Sequence, residues 1–250
     1  MARLVLLLVL AAGCPGGGGD DDDYPVGVGG GGGGTTTPGD LGDAGTGDGG
    51  IDAAVQLTGR VCLGSDLRRL VNALPTDCAG TGANNLGVTL GASAPVLTAA
   101  DGSFTIPEQA GSNLSWTITG AALIRSVIPF SASRLLPAIL DDTYVDLLNS
   151  NSAIVQPGEG SIVARLVKNN AAVTGAIAAV LNGESLQTLY DGANATVWAT
   201  LATGPLGIAW LPDNVAGARM LVVTPQGGTP FAVPVTIVDQ AITFVTVVVP

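Results

Sequence analysis

The residues of this chain that could catalyse a reaction are few, and the commonest general base is absent. The sequence contains no histidine and a single lysine, Lys168, so a serine nucleophile would depend on that one side chain as its base. Asp141, Asp142 and Asp146 could supply a carboxylate pair for glycoside hydrolysis, but acids at the start of a short helix more often stabilise its N-terminus. We therefore predict that the protein is not an enzyme and uses no cofactor.

The first fourteen residues have the pattern of an export signal. Arg3 supplies a positive start, and residues 4–10 form an apolar run too short to span a bilayer. Residues 11–14, Ala-Ala-Gly-Cys, then resemble the lipobox of bacterial lipoproteins, with Ala11 where leucine is commonest. The resemblance implies a signal peptide over 1–13 and lipidation of Cys14. The alternative is an ordinary signal peptide cleaved near Ala12.

The lipoprotein resemblance also implies an anchor and an address. Several acyl chains on one cysteine make a lasting anchor, because each buried methylene contributes about 0.8 kcal/mol. Pro15 follows the cysteine in place of the aspartate associated with inner-membrane retention. The resemblance therefore implies an outer-membrane lipoprotein of the cell envelope, periplasmic or surface-exposed, whose partner is the membrane through its lipid anchor.

If Cys14 is acylated, Cys62 and Cys78 remain as an even pair in an oxidising compartment, where a disulfide is the expected state. Such a bond would contribute roughly 3 kcal/mol by constraining the unfolded chain. A reactive dithiol is the alternative, but the pair lacks CxxC spacing. We predict no metal site, because a zinc site wants about four ligands and the chain has no histidine.

The charge of the chain argues against nucleic acid as a partner. The formal net charge is −11, and the nine lysines and arginines are scattered through the sequence. No basic stripe is therefore present to neutralise phosphates. An envelope protein or a polysaccharide is left open as a partner.

Glycine and aspartate dominate residues 14–52. This composition cannot bury enough apolar surface to offset the entropy lost on ordering the backbone. The segment lacks the fixed ligand offsets of a calcium loop, and it lacks the strand and helix that flank a phosphate loop. We predict a disordered tether.

After the tether, short runs of valine, threonine, isoleucine and leucine alternate with glycine, proline and asparagine, which predicts an all-β fold. The predicted strands are 55–63, 86–92, 103–107, 114–120, 161–167, 173–181, 195–200, 206–212, 219–225, 230–238 and 241–249. One short helix is predicted at 141–151, capped by an aspartate, with Tyr144, Leu147 and Leu148 on one face. Residues 125–140 contain two prolines, which favours a crossover over a pair of strands.

The two halves of the chain resemble each other. Residues 98–116 align with 203–221, and the matched pairs are Thr98 with Thr203, Gly102 with Gly207, Ile106 with Leu211 and Pro107 with Pro212. A repeat of roughly 90 to 100 residues implies a duplicated domain. We predict two tandem, small antiparallel β-sandwich domains, over 53–120 and 160–250, joined by an interdomain crossover at 121–159 that contains the short helix.

The repeated motifs resemble the carboxypeptidase regulatory-like domain, a small transthyretin-like (prealbumin-like) β-sandwich. The motifs of the first copy are Gly59-Arg60-Val61, Gly87-Val88-Thr89-Leu90 and residues 98–106, and the second copy keeps Gly175-Ala176-Ile177, Thr203, Gly207 and Pro212. In that family such modules are non-catalytic appendages or stacked spacers. The resemblance therefore implies a binding or structural unit.

Two alternatives remain open. Trp116, Trp198 and Trp210 could form a sugar-stacking platform in a carbohydrate- or peptide-binding lipoprotein that supplies a transporter or hydrolase. Exposure of these tryptophans on one sheet face would favour that function. The apolar C-terminal strand could also accept a partner strand at an exposed edge.

Overall fold

The computed structural model describes residues 55–71, 78, 83–131, 133–181, 187–192 and 198–250, which belong to one compact unit, Gly50–Pro250. Over these residues the chain forms sixteen strands and two helices, so the predicted all-β fold is confirmed. The strands are β1 (Gln56–Leu63), β2 (Gly87–Leu90), β3 (Val96–Leu97), β4 (Ser103–Pro107), β5 (Ser115–Thr119), β6 (Arg125–Pro129), β7 (Leu135–Ala138), β8 (Glu159–Lys168), β9 (Ala171–Ala172), β10 (Ile177–Val180), β11 (Leu189–Asp191), β12 (Trp198–Ala199), β13 (Ile208–Val215), β14 (Gly217–Thr224), β15 (Phe231–Ile237) and β16 (Ala241–Val248). The helices are α1 (Leu67–Leu70) and α2 (Asp141–Ser150). The predicted signal peptide, Cys14 and tether lie outside the described residues.

The first module, β1 to β7, is a sandwich of two sheet layers. In one layer β1 lies between β4, its antiparallel neighbour, and β7, its parallel neighbour. The facing layer has the order β6-β5-β2-β3, with every pair antiparallel. Alternate side chains of both layers point inward, and the core they form contains Phe104, Ile106 and Trp116.

The second module, β8 to β16, repeats this arrangement. Here β8 lies between antiparallel β13 and parallel β16, and the facing layer has the order β10-β14-β15. Strands β11 and β12 extend the first layer beyond β13, and β9 pairs with β8. The two modules therefore share one topology, as a duplicated sandwich requires. Each differs from the predicted antiparallel sandwich by one parallel pair.

Hydrogen bonds at the repeated threonine confirm the alignment of the two halves. Thr98 Oγ1 accepts a bond of 2.9 Å from Leu86 N, and Thr203 Oγ1 accepts a bond of 3.0 Å from Ala176 N. Each hydroxyl also donates to a backbone carbonyl of the same loop. Both threonines are buried, so they fix equivalent loops in the two cores.

The repeated glycine occupies an equivalent turn in each module. Gly102 has φ +82° and Gly207 has φ +68°, a region that favours glycine because a side chain is strained there. The Gly102 carbonyl accepts from Val61 N at 2.9 Å, and the Gly207 carbonyl accepts from Leu166 N at 2.7 Å. These bonds tie the turn to β1 and β8, respectively.

The modules are joined through one continuous sheet. Strand β6 of the first module pairs in parallel with β16 of the second, from Arg125 opposite Ala241 to Val127 opposite Thr243. The resulting ten-stranded sheet has the order β12-β11-β13-β8-β16-β6-β5-β2-β3, with β9 beside β8. Helices α1 and α2 contribute to a further core cluster with side chains of this sheet, including Trp210.

The predicted crossover at 125–140 is wrong, because this segment forms β6 and β7. Proline is tolerated in both strands for reasons of position. Pro129 is the last residue of β6, and Pro137 lies in β7, an edge strand, where a missing N–H need not break a ladder. The predicted helix is present as α2, but Leu140 takes the N-cap position, and Asp141 lies in the first turn.

Candidate binding clefts

The predicted disulfide is present between Cys62, the second-to-last residue of β1, and Cys78, which follows α1 in the chain. Asp66 caps α1 by accepting from Arg68 N at 3.0 Å, and it also pairs with the Arg68 guanidinium. The disulfide and the cap therefore hold the loop that carries α1. Leu70 of this helix belongs to the same core cluster as Trp210 of β13.

The three tryptophans do not form a sugar-stacking platform. Trp116 and Trp210 are fully buried. Trp198 is half-buried, its ring lies 5.1 Å from that of Trp210, and the Arg68 guanidinium lies 5.2 Å from its centroid. The side chains that could have stacked on a sugar are instead part of the packing.

The polar groups considered for catalysis do not converge on a cavity. Asp141, Asp142 and Asp146 lie on α2, and none of them lines either of the two cavities described below. Lys168 is exposed at the end of β8 and donates to the carbonyl of Pro250. Among the described residues, no group of three or more His, Cys, Asp or Glu side chains could hold a metal ion.

Tyr144 is a further buried polar group, and its surroundings are structural. Its hydroxyl is hydrogen-bonded to Ser161 Oγ, which donates to the Pro212 carbonyl at 2.6 Å. Burial raises the pKa of Tyr144 to about 12, so the phenol stays neutral at physiological pH. This group links α2 to the sheet.

The strand edge of β16 is left partly open. Pairing with β8 continues to Val248, whereas pairing with β6 stops at Thr243. Strand β6 ends at Pro129, which has no N–H to offer. In the described part of the chain, β6 forms no ladder pair with β16 beyond Thr243, and no strand lies along this side of β16 beyond the end of β6 at Pro129.

The direction of the unpaired groups follows from one hydrogen bond. Val249 N donates to Val167 O of β8 at 2.7 Å. In a parallel ladder, alternate residues of a central strand bond to opposite neighbours. The backbone N–H and C=O groups of Thr246 and Val248 therefore point away from β8, into the gap that β6 leaves.

A cavity of about 860 Å³ lies on one face of the sheet at this gap. We call it the Arg165 cleft; its lining includes Arg69, Phe130, Arg165, Leu206, Phe244 and Thr246. Arg165 is half-buried on β8, and its Nε atom is buried without a hydrogen-bond partner among the described residues. Arg69 is exposed on α1, so the disulfide-linked loop supplies one wall of the cleft.

A second cavity, of about 1150 Å³, is lined in part by Thr243 and Val245 of β16. We call it the Arg125 groove; its lining includes Thr89, Thr117, Thr119, Arg125, Arg219 and Pro234. Thr243 Oγ1 donates to Thr236 O of β15 at 3.0 Å, which places this groove on the side of the sheet covered by β15. Pro129 and Val245 line both cavities, so the two meet at the open edge of β16.

Both cavities are positively charged within an acidic chain. No acidic residue is among the described residues that line either one. Four of the eight lysines and arginines in the described residues line them, whereas Arg60 and Arg68 are paired with carboxylates elsewhere. A guanidinium stays protonated at neutral pH and donates several hydrogen bonds in one plane. These clefts are suited to binding anionic groups and carry no general base.

A buried carboxylate holds one wall of the Arg165 cleft. Asp191 Oδ1 accepts from Gly204 N at 2.9 Å and Ile208 N at 2.7 Å, and its Oδ2 accepts from Leu206 N at 2.5 Å. Asp191 is fully buried, and these bonds fix the loop that presents Leu206 to the cleft. Sequence reasoning missed Asp191 and both clefts, because their residues come from distant strands and form no motif.

Comparison with known proteins does not assign a function, so the functional assignment depends on the geometry of the two clefts. No protein-family model and no curated protein matches the chain. Among solved structures, the Bacillus anthracis TIE protein is similar with 11% identity and a TM-score of 0.24, covering 78% of this chain and 33% of its own. A streptococcal ancillary pilin is similar with 11% identity and a TM-score of 0.21, covering 79% of this chain and 63% of its own. This chain spans less than two thirds of either protein.

No helix in the described part of the chain is both long enough and apolar enough to cross a bilayer.

Proposed function

We propose that the protein is a non-enzymatic, lipid-anchored protein of the cell envelope, and that its two sandwich modules form a binding unit. The lipobox-like residues that end at Cys14 support the anchor. The glycine- and aspartate-rich segment 14–52 would then serve as a tether between lipid and modules. Modules of the carboxypeptidase regulatory-like kind serve as non-catalytic units, and the shared topology of the two halves is consistent with that role.

One observation carries the binding role. Two arginine-lined clefts meet at the open edge of β16, and the described residues that line them include no histidine, lysine, aspartate or glutamate. A serine in such a cleft has no base to activate it, which favours binding over catalysis. Trp116 and Trp210 are buried and cannot stack on a sugar, which favours a peptide-binding lipoprotein over a carbohydrate-binding one.

Intact mass of the protein extracted from membranes tests the anchor. A triacylated chain that begins at Cys14 is the expected product, and reduction should raise its mass by two hydrogens through Cys62 and Cys78. A Cys14→Ser variant should leave the membrane fraction, whereas a Cys62→Ser/Cys78→Ser variant should remain there. A wild-type protein recovered as a soluble, unacylated species would contradict the anchor.

A further inference from the structure

We propose that the open edge of β16 binds an extended, acidic peptide segment, which adds to the sheet as a strand and places carboxylates in the Arg165 cleft. This inference rests on the binding role proposed above and names the ligand class. It does not depend on the lipid anchor.

The backbone of β16 supplies the first part of the argument. Thr246 and Val248 direct their N–H and C=O groups into the gap beyond Thr243, while the opposite edge of the strand is paired with β8. Unpaired strand edges accept extended peptides, because main-chain hydrogen bonds continue the ladder. The gap lies past the end of β6 and has a cavity on each face, so an incoming strand would be contacted on both faces.

Charge supplies the second part. Successive side chains of an added strand point to opposite faces of the sheet. On one face they meet the Arg165 cleft, which Arg69 and Arg165 line, and on the other they meet the end of the Arg125 groove at Pro129 and Val245. Since no acidic residue among the described residues lines the Arg165 cleft, a carboxylate of the peptide would be the counter-ion there.

The state of Arg165 supports the same ligand. Its Nε is buried and lacks a partner among the described residues, and a buried donor without a partner costs free energy. A carboxylate can accept from two nitrogens of one guanidinium, which would satisfy this group. Phe244 and Leu206 beside it offer apolar surface to the rest of the peptide.

The size of the cavity fits a short segment. The Arg165 cleft, at about 860 Å³, lies in the range of ligand pockets, about 300 to 1,000 Å³. Residues Thr246 to Val248, beyond the end of β6, offer three positions along which an added strand could run.

The test uses fluorescein-labelled heptapeptide pools and the full purified chain, with binding measured by fluorescence anisotropy. One pool has glutamate at positions 2, 4 and 6 and mixed valine, threonine and isoleucine elsewhere; a second has glutamine in place of glutamate. We expect the dissociation constant of the glutamate pool to be lower by about tenfold or more, since charge-assisted hydrogen bonds replace neutral ones. Equal affinity of the two pools, or no binding of either, would overturn the proposal.

Two further glutamate pools test strand addition itself. One is N-methylated at the odd positions and the other at the even positions. Only alternate residues of an added strand donate to its neighbour, so one pool should lose about tenfold or more in affinity and the other should retain it. Retention by both would show that charge alone is recognised, as for an anionic lipid or polysaccharide, and would contradict the peptide assignment.

A matched pair of variants locates the site. Arg165→Gln should remove most of the preference for glutamate over glutamine, whereas Lys168→Gln, which removes the same charge three residues along β8, should leave it unchanged. If both variants bind like the wild type, the cleft is not the site. The peptide pools need no variant, so this test stands apart from membrane anchoring: a failed mass measurement with intact peptide binding would reject the anchor alone.

Discussion

The two modules build the same turn with carboxylates from different places. In the first module, Asp101 lies in the turn before Gly102, and its Oδ1 accepts from Ser103 N at 3.0 Å. In the second, Leu206 occupies the position of Asp101, and the carboxylate comes from Asp191 of β11, whose Oδ1 accepts from Ile208 N.

This difference shows how a duplicated module can gain a cleft without changing its topology. Asp101 is exposed and pairs with Arg60 at 2.6 Å, so the first turn is held at the surface. Asp191 is fully buried and supplies the carboxylate of the second turn from outside that turn. The turn position itself is therefore occupied by Leu206, which lines the Arg165 cleft. Strand β11, which carries Asp191, therefore makes the turn before Gly207 one wall of the Arg165 cleft, whereas the equivalent turn before Gly102 lies at the surface.

Replacement of the buried carboxylate should have the largest effect. Asp191→Asn removes one acceptor and directs an amide donor at backbone N–H groups, so we expect a loss of about 3 kcal/mol in the free energy of unfolding. Asp101→Asn, at the equivalent turn, should cost far less, because Asp101 is exposed to water. Urea denaturation followed by tryptophan fluorescence measures both, and equal losses would contradict the comparison.

The disulfide, which is present only in the first module of the described chain, should have the second-largest effect. The first module joins β1 to β2 through the α1 loop, closed by Cys62 and Cys78 with a sequence separation of 16 residues, whereas the second uses the short strand β9. We expect Cys62→Ser/Cys78→Ser to lose up to about 3 kcal/mol of unfolding free energy. Because α1 carries Arg69, the variant should also weaken binding of the glutamate peptides. Unchanged thermal unfolding on reduction would show that the loop is held by packing alone.

The repeated threonines should behave alike. Thr98→Val and Thr203→Val each remove a hydroxyl that accepts one backbone bond and donates another in a buried loop. We expect each change to cost about 2 kcal/mol, with the two losses similar in size. If only one of the two variants lost free energy of unfolding in the same urea titration, the two loops would not be equivalent.

The smallest effect should be a pH dependence limited to the first turn. Hydrogen bonds from Ser103, followed by the bond from Arg60, hold the pKa of Asp101 well below its usual range. A depressed folded-state pKa gives a contribution that is present above the unfolded value, about 4, and is lost as the pH falls below it. Stability of wild type and Asp101→Asn should therefore differ at pH 6 and converge in acid. A stability difference between the two proteins that grows in acid would contradict a lowered pKa of Asp101.

The sequence predicted the parts of the fold that depend on local pattern and internal repetition. Alternating apolar residues placed most strands, and the pairs Thr98 with Thr203 and Gly102 with Gly207 proved equivalent in their hydrogen bonds. The two strands in 125–140 were missed because proline at 129 and 137 argues against strands, whereas strand-end and edge positions tolerate it.

The clefts were beyond reach of the sequence for a different reason. They depend on the parallel pairing of β6 with β16, which brings residues more than one hundred positions apart into one sheet. Such pairing leaves no local signal. An exposed edge on the C-terminal strand was one open alternative; the strand lies centrally between β8 and β6, and its edge is open only past the end of β6.

Amide hydrogen exchange along β16, measured by NMR, tests the central claim most directly. The N–H groups of Thr246 and Val248 should exchange faster than those of Val247 and Val249, which face β8, and the glutamate peptide pool should slow the first pair. Equal protection of all four in the free protein would show that the edge is already covered. Fast exchange that the peptides leave unchanged would show that the open edge does not bind them.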